Sequence, residues 1–193
     1  MSYEVQSLSQ YIRKLAIDYM RYNYVHYVTG VIPSHKNPAA TDQKLIEHYE
    51  ITSCRTTRSK RKKAGFANVQ YIRWGNFFTL IATEGESRFF VDEKPTDIRV
   101  APLHLKGYSI GMKGDTPCVM IAPKRLKAIR RYLAVISLHH ERRVRNFLCH
   151  RLPKLKYPRV LRQNQAIIRE MNRRRKKAHL PPIMIEAVAS KAR

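Results

Sequence analysis

At Pro123 the hydrophobic pattern of this 193-residue chain changes period. Ahead of it, apolar and β-branched runs alternate with short turn sequences. Residues 69–74 and 77–83 flank Gly75-Asn76, a two-residue connection suited to a tight hairpin. Residues 103–112 and 118–122 bracket Lys113-Gly114-Asp115, which reads as a second hairpin. Behind Pro123, itself suited to a first helical turn, Leu126, Ile129, Leu133 and Ile136 recur at helical spacing.

This separation of strand and helix patterns predicts an α+β fold. The sheet is expected to be single, largely antiparallel and of about five or six strands, with N-terminal helices and a basic C-terminal helical region. Residues 1–122 read as the α+β core. Residues 123–193 read as a basic helical region packing on that core or extending from it.

Local signals fill in the elements. Ser9 is a suitable cap for a helix running to about Arg21, with Tyr11, Leu15 and Met20 turned inward. Residues 24–32 form a strand, and 33–38 a loop. Thr41 or Asp42 then caps a short helix carrying Leu45, Ile46 and Tyr49. Residues 87–91 read as another short strand, and 94–101 as irregular, with Pro95 and Pro102 opposing regular pairing. A break is expected at His139-His140. The last helix, residues 161–178, is expected to bury Leu161, Ile168 and Met171, and to end ahead of Pro181-Pro182 and a loose tail.

Charge is distributed as unevenly as hydrophobicity. Residues 51–66 carry six basic residues and no acid, and residues 124–193 carry 21 basic residues and three acids. The remaining segments balance, so these two blocks account for the whole net charge of +24. Charge serving solubility alone is interspersed with acids. Segregated charge of this kind points to a polyanionic partner, DNA or RNA. The candidate contacts are Arg55, Arg58, Lys60, Arg61, Lys62 and Lys63 in the first block. In the second they are Arg142, Arg143, Arg145, Arg162, Arg169, Arg173, Arg174, Arg175, Lys176 and Lys177. Arg162, Arg169 and Arg173 fall on one stripe of the last helix, beside its apolar face. The tyrosines Tyr19, Tyr22, Tyr24 and Tyr27 suit core packing first, and stacking of unpaired bases second.

An acidic patch at 84–97 supports a different reading. Asp92-Glu93-Lys94 loosely matches the acid-x-Lys element of metal-dependent nucleases, and Glu84 and Glu86 join Asp92 and Lys94 as candidates where carboxylates would hold Mg²⁺. No cofactor is expected otherwise. A structural place in a ribonucleoprotein particle is the third reading. Nucleic acid in replication, transposition or RNA processing remains the leading expectation. Three widely spaced cysteines with no C-x-x-C support neither a zinc ribbon nor a disulfide framework. The first twenty residues lack a signal-peptide pattern, and no apolar run is long enough for a membrane span. A cytoplasmic or nucleoid- or nucleus-associated location, without secretion or membrane partners, is expected.

Overall fold

The computed structural model describes residues 3–51 and 54–184. The fold is α+β, and its contacts divide it into two compact units. The first comprises residues up to Leu103 together with Ile110–Cys118. The second comprises His104–Ser109 and the chain from Val119 onward. No helix among the described residues is long and apolar enough to cross a membrane.

The first unit is built on a four-stranded sheet: β1 (His26–Val31), β2 (Val69–Trp74), β3 (Phe77–Ala82) and the two-residue β4 (Thr96–Asp97). The order is β2-β3-β1-β4. The Gly75-Asn76 hairpin forms as its sequence requires, with Trp74 opposite Phe77 and Val69 opposite Ala82. Residues on a strand alternate between faces. Val69, Tyr71, Leu80 and Ala82 therefore share one face, where they join Tyr49, Ile51 and Phe89 in one core cluster. On the other face lies α1 (Leu8–Arg13), whose Tyr11 hydroxyl meets the Thr79 hydroxyl at 2.5 Å and whose ring packs on Phe77. At the centre Gly30 sits opposite Phe78. A Cβ at position 30 would come within 2.3–2.5 Å of the Phe78 ring, so the glycine makes room for the aromatic side chain to lie across the sheet.

Helix α2 (Pro38–His48) is capped by Asn37, whose side chain accepts from the Ala39 amide, and not by Thr41 or Asp42. Asp42 is used elsewhere. Its carboxylate accepts from Arg73 Nε at 2.8 and 3.0 Å and from the Tyr71 hydroxyl at 2.5 Å. Arg73, 5% exposed, also donates from Nη1 to Glu4 at 3.1 Å and to the Gly75 carbonyl at 2.7 Å. The Asp42 carboxylate raises the already high Arg73 pKa against the effect of desolvation. Burial, and then Asp42, push the Tyr71 hydroxyl up as well. Helix α3 (Arg55–Lys63) follows, ending at Ala64 with Gly65 beyond it at φ +83°.

Several expectations change here. The first helix is capped by Ser7, not Ser9, and after Arg13 it widens into a π-helix (Lys14–Tyr19) and then a 3₁₀ turn (Met20–Tyr22). Residues 87–91 do not form a strand. Ser87 accepts from the Phe89 amide and caps α4 (Arg88–Asp92), so a local capping interaction overrides the strand preference of Phe-Phe-Val. The single sheet is two sheets. The run 103–112 breaks at Lys106-Gly107, both at positive φ, into β5 (Leu103–Leu105) and β6 (Tyr108–Lys113). With β7 (Thr116–Ile121) these make a separate three-stranded sheet, in the order β5-β6-β7.

In the second unit, α5 (Pro123–Ile136), α6 (Glu141–Arg151) and α7 (Pro158–Lys177) pack on Ile129, Leu133, Ile136, Val144, Leu148 and Met171. The buried face of α7 is Val160, Ile167, Ile168 and Met171. Leu161, one residue out of phase, is exposed. The chain after α7 is docked as far as it is described. The Asn172 side chain donates to the Ile183 carbonyl at 3.0 Å and accepts its amide at 2.9 Å, and Ile183 is buried. The remainder of the expected loose tail, from residue 185, lies outside the described residues.

Breaking the Asp42–Arg73 pair should leave the buried cation with Glu4 as its remaining carboxylate, and removing one partner of a buried pair typically costs about 3–5 kcal/mol. Denaturant unfolding of Asp42→Ala is expected to show a loss of that order. The double variant Asp42→Leu with Arg73→Met should recover most of it. Additive losses in the double variant would mean that the two side chains are not coupled.

Candidate nucleic-acid interface

The two sequence features read separately above, the first basic block and the tyrosine cluster, meet in one cleft of the first unit. Its volume is about 710 Å³. One wall is α3. Arg55, Arg58, Ser59 and Lys62 are spaced i, i+3, i+4 and i+7, which places all four on one helical face, and all four border the cleft. The other residues of the block point elsewhere. Arg61 donates to Glu50 at 2.8 Å, while Lys60 and Lys63 are exposed and border no part of the cleft.

The opposite wall comes from the π-helix and the turn after it. Asn23 adopts a left-handed conformation (φ 65°) and ends the 3₁₀ turn, so Tyr22 and Tyr24 leave in different directions. Tyr19 and Tyr24 are each 6% exposed, and their rings meet at 5.8 Å; Tyr22 is 65% exposed at the cleft. Burial raises the pKa of both inner tyrosines. For Tyr24, the neighbouring Arg58 and a hydrogen bond with Gln70 act in the opposite direction. Both hydroxyls stay neutral, and four cations (Arg21, Arg55, Arg58 and Lys62) face one carboxylate, Asp18. The cleft is electropositive.

Two amides that sequence reasoning passed over complete it. Asn68 and Gln70 are buried polar residues at the start of β2, and both line the cleft with Thr83. Asn68 is held on three sides. Its amide donates to Thr83 Oγ1 at 2.9 Å, its carbonyl accepts from the Thr83 amide at 3.0 Å, and its Nδ2 donates to the Arg58 carbonyl at 3.0 Å. Its Oδ1 is buried and has no hydrogen-bond partner among the described residues. The signal in the sequence is a pair of amides two positions apart, Asn68 just ahead of β2 and Gln70 within it, amid apolar and aromatic neighbours.

The remaining sequence candidates divide. In the second unit Arg142, Arg143, Arg162, Arg169, Arg173, Arg174, Lys176 and Lys177 are exposed; Arg145 is half-buried and paired with Glu141, and Arg174 lies 3.4 Å from Glu170. Arg175 departs from the expected phosphate contact, because it is 2% exposed and faces inward. Its Nη1 donates to the carbonyls of Ser137 and His139 at 2.9 and 3.0 Å, and its Nε to that of Pro181 at 2.8 Å. It thereby satisfies carbonyls at the α5–α6 turn. Tyr27 also turns away from any ligand role, donating to the Ala101 carbonyl.

The acidic residues of 84–97 do not converge on one point. Asp92 pairs with His48 at 2.7 Å and lies 3.8 Å from Arg88; Glu84 and Asp97 pair with Arg99, which holds Asp97 below the usual carboxylate range. Glu86 borders a second cleft with Phe66 and Arg88, and Lys94 is exposed. No group of three or more His, Cys, Asp or Glu side chains among the described residues is placed to hold a metal ion.

Family models, curated proteins and solved structures yield no match to this chain. The reading of the interface therefore rests on its own geometry.

Two outcomes follow from these placements. Arg175→Ala should lower the unfolding midpoint clearly, because it strands buried carbonyls at about 1–3 kcal/mol each; Arg173→Ala, on the exposed stripe, should leave the midpoint nearly unchanged. Equal midpoints would show that the turn does not depend on Arg175. Cys54, the exposed N-cap of α3, has its thiol drawn down to about 7 by the Thr57 amide and hydroxyl and then by Thr56. Alkylation of Cys54 should accelerate with pH about a midpoint near 7, as the thiolate forms. A midpoint at the ordinary thiol value of about 8.5 would contradict this.

Proposed function

We propose that this protein binds nucleic acid, gripping its phosphate backbone with the cleft-facing cations of α3. The supporting observation is the register of that helix. Arg55, Arg58 and Lys62 fall on the one face that borders a cleft lined with tyrosines and amides. A basic run kept only for solubility has no need of such a register. Phosphates neutralised there release condensed counterions, which makes binding strong and salt-sensitive. The exposed arginines of α6 and α7 add a second basic surface. Arg142 and Arg143 stand near the start of α6, while Arg162, Arg169 and Arg173 line α7, whose apolar face holds that stripe in place. A fixed guanidinium can hold phosphate oxygens bidentately, which a lysine cannot.

The test compares two pairs of substitutions of equal charge. Arg55→Gln with Lys62→Gln should weaken binding of a mixed-sequence nucleic acid and reduce the slope of log affinity against log salt by about two, one per lost phosphate contact. Lys60→Gln with Lys63→Gln, on the same helix but outside the cleft lining, should change the slope by much less. Equal effects from both pairs would show that only total charge counts, and the cleft would then have no part in binding.

A further inference from the structure

The cleft is more than an electropositive surface, and its remaining features specify what enters it. We propose that it takes an unpaired base of single-stranded nucleic acid, stacked on Tyr22 and held at its donor edge by Asn68, while the adjoining phosphates lie on the cleft face of α3. This rests on the nucleic-acid reading above and narrows it.

Shape favours the single strand. Elements that read a duplex protrude into a groove about 12 Å wide, and the bases they read stay within the stack. Here the polar groups line a concavity of about 710 Å³, within the size range of small-ligand pockets of about 300–1,000 Å³. A base inside a duplex cannot reach such a site, whereas an unpaired base can be turned out into it.

Tyr22 supplies the stacking surface. It is the large exposed aromatic beside the cations, and the αL turn at Asn23 fixes its direction while buried Met20 and Tyr24 anchor the chain on either side. An aromatic ring left 65% exposed at the mouth of a polar cleft offers its face to any base. Tyr19 and Tyr24, buried beneath it, cannot do so.

Asn68 supplies the recognition. Its Nδ2 is committed to the Arg58 carbonyl, so its orientation is set; Oδ1 is a buried acceptor without a partner among the described residues, and a donor reaches it by displacing the groups that cover it. The missing partner is a donor. The Watson–Crick edges of unpaired bases carry such donors, as amino or ring N–H groups, and in a duplex those donors are already paired. The same side chain that reads the base is bonded to the backbone of α3, so base and phosphate contacts are held in one frame.

Fluorescence anisotropy with the full chain tests this, using a short single strand, the duplex of the same sequence, and a nucleoside monophosphate as competitor. The strand should bind more tightly than the duplex, and the monophosphate should compete poorly. Tyr22→Ala should weaken strand binding by about tenfold with the salt slope and duplex affinity unchanged, and Tyr22→Phe should retain it. A strand of thymines methylated on the ring nitrogen, which lacks the donor, should bind less well than unmodified thymine. Because Tyr22 is exposed, its substitution leaves the core untouched. Strand and duplex binding alike, with Tyr22→Ala silent while Arg55→Gln with Lys62→Gln still weakens both, would overturn base capture and leave the nucleic-acid reading in place. Binding of the monophosphate as tightly as the strand would make the cleft a nucleotide site instead. Absence of salt-sensitive binding to strand and duplex together would overturn the broader reading itself.

Discussion

A guanidinium group removed from water must be met by fixed acceptors, and at Arg73 the first unit is arranged around that requirement. The acceptors come from three separate places in the sequence: Glu4 near the start, Asp42 on α2, and the carbonyl of Gly75 in the hairpin turn. Asp42 also accepts the Tyr71 hydroxyl, so two residues of β2 on the same face share one carboxylate. The ion pair thus does what apolar packing alone does poorly, which is to define one position for a helix over a sheet. Its net contribution to stability can be modest, because desolvation offsets attraction. Any other placement of α2 would leave Arg73 with only Glu4 and the Gly75 carbonyl as partners.

The cleft inherits that order. Gln70 belongs to the same strand as Tyr71 and Arg73 and is fixed by the same pairing with β3, and Asn68, just ahead of that strand, is bonded to Thr83 just past β3. The polar floor and the basic wall are joined through the Asn68 side chain and the Arg58 carbonyl. A short helix carrying six cations in nine residues has little reason to stay put by hydrophobic burial, and α3 buries no residue fully. Its placement depends on polar contacts at defined points, of which Arg61 with Glu50 is another.

The sequence made the α+β class, the Gly75-Asn76 hairpin, the helix behind Pro123 and the break at His139-His140 legible, because each has a local cause. What it concealed was decided by distant partners. Arg175 is indistinguishable from its neighbours in Arg173-Arg174-Arg175-Lys176-Lys177 until α7 is packed, when one position of five turns inward to carbonyls. The fate of Tyr22 beside that of Tyr24 depends on a single left-handed residue between them. Residues 87–91 carry the strand preference of Phe-Phe-Val, and one serine hydroxyl is enough to reverse that preference over so short a segment. Asn68 and Gln70 are silent in the sequence because an amide in or beside a strand advertises nothing until its burial is known.

The π-helix at Lys14–Tyr19 acts as a phase adjuster between two sets of side chains. Tyr11, before it, meets the sheet at Thr79 and Phe77; Tyr19, at its end, donates to the Tyr71 carbonyl of β2, and both Tyr19 and Tyr22 border the cleft. Each residue added to or removed from a helix turns everything beyond it by about 100°. A π-helix, with bonds to the fifth residue, accommodates one residue more than the α-helical repeat. Shortening this segment by one residue would remove the residue that the wide turn takes up and return the span to an ordinary α-helix. The wide turn thus joins the residues packed on the sheet to the wall of the cleft along one continuous stretch of chain.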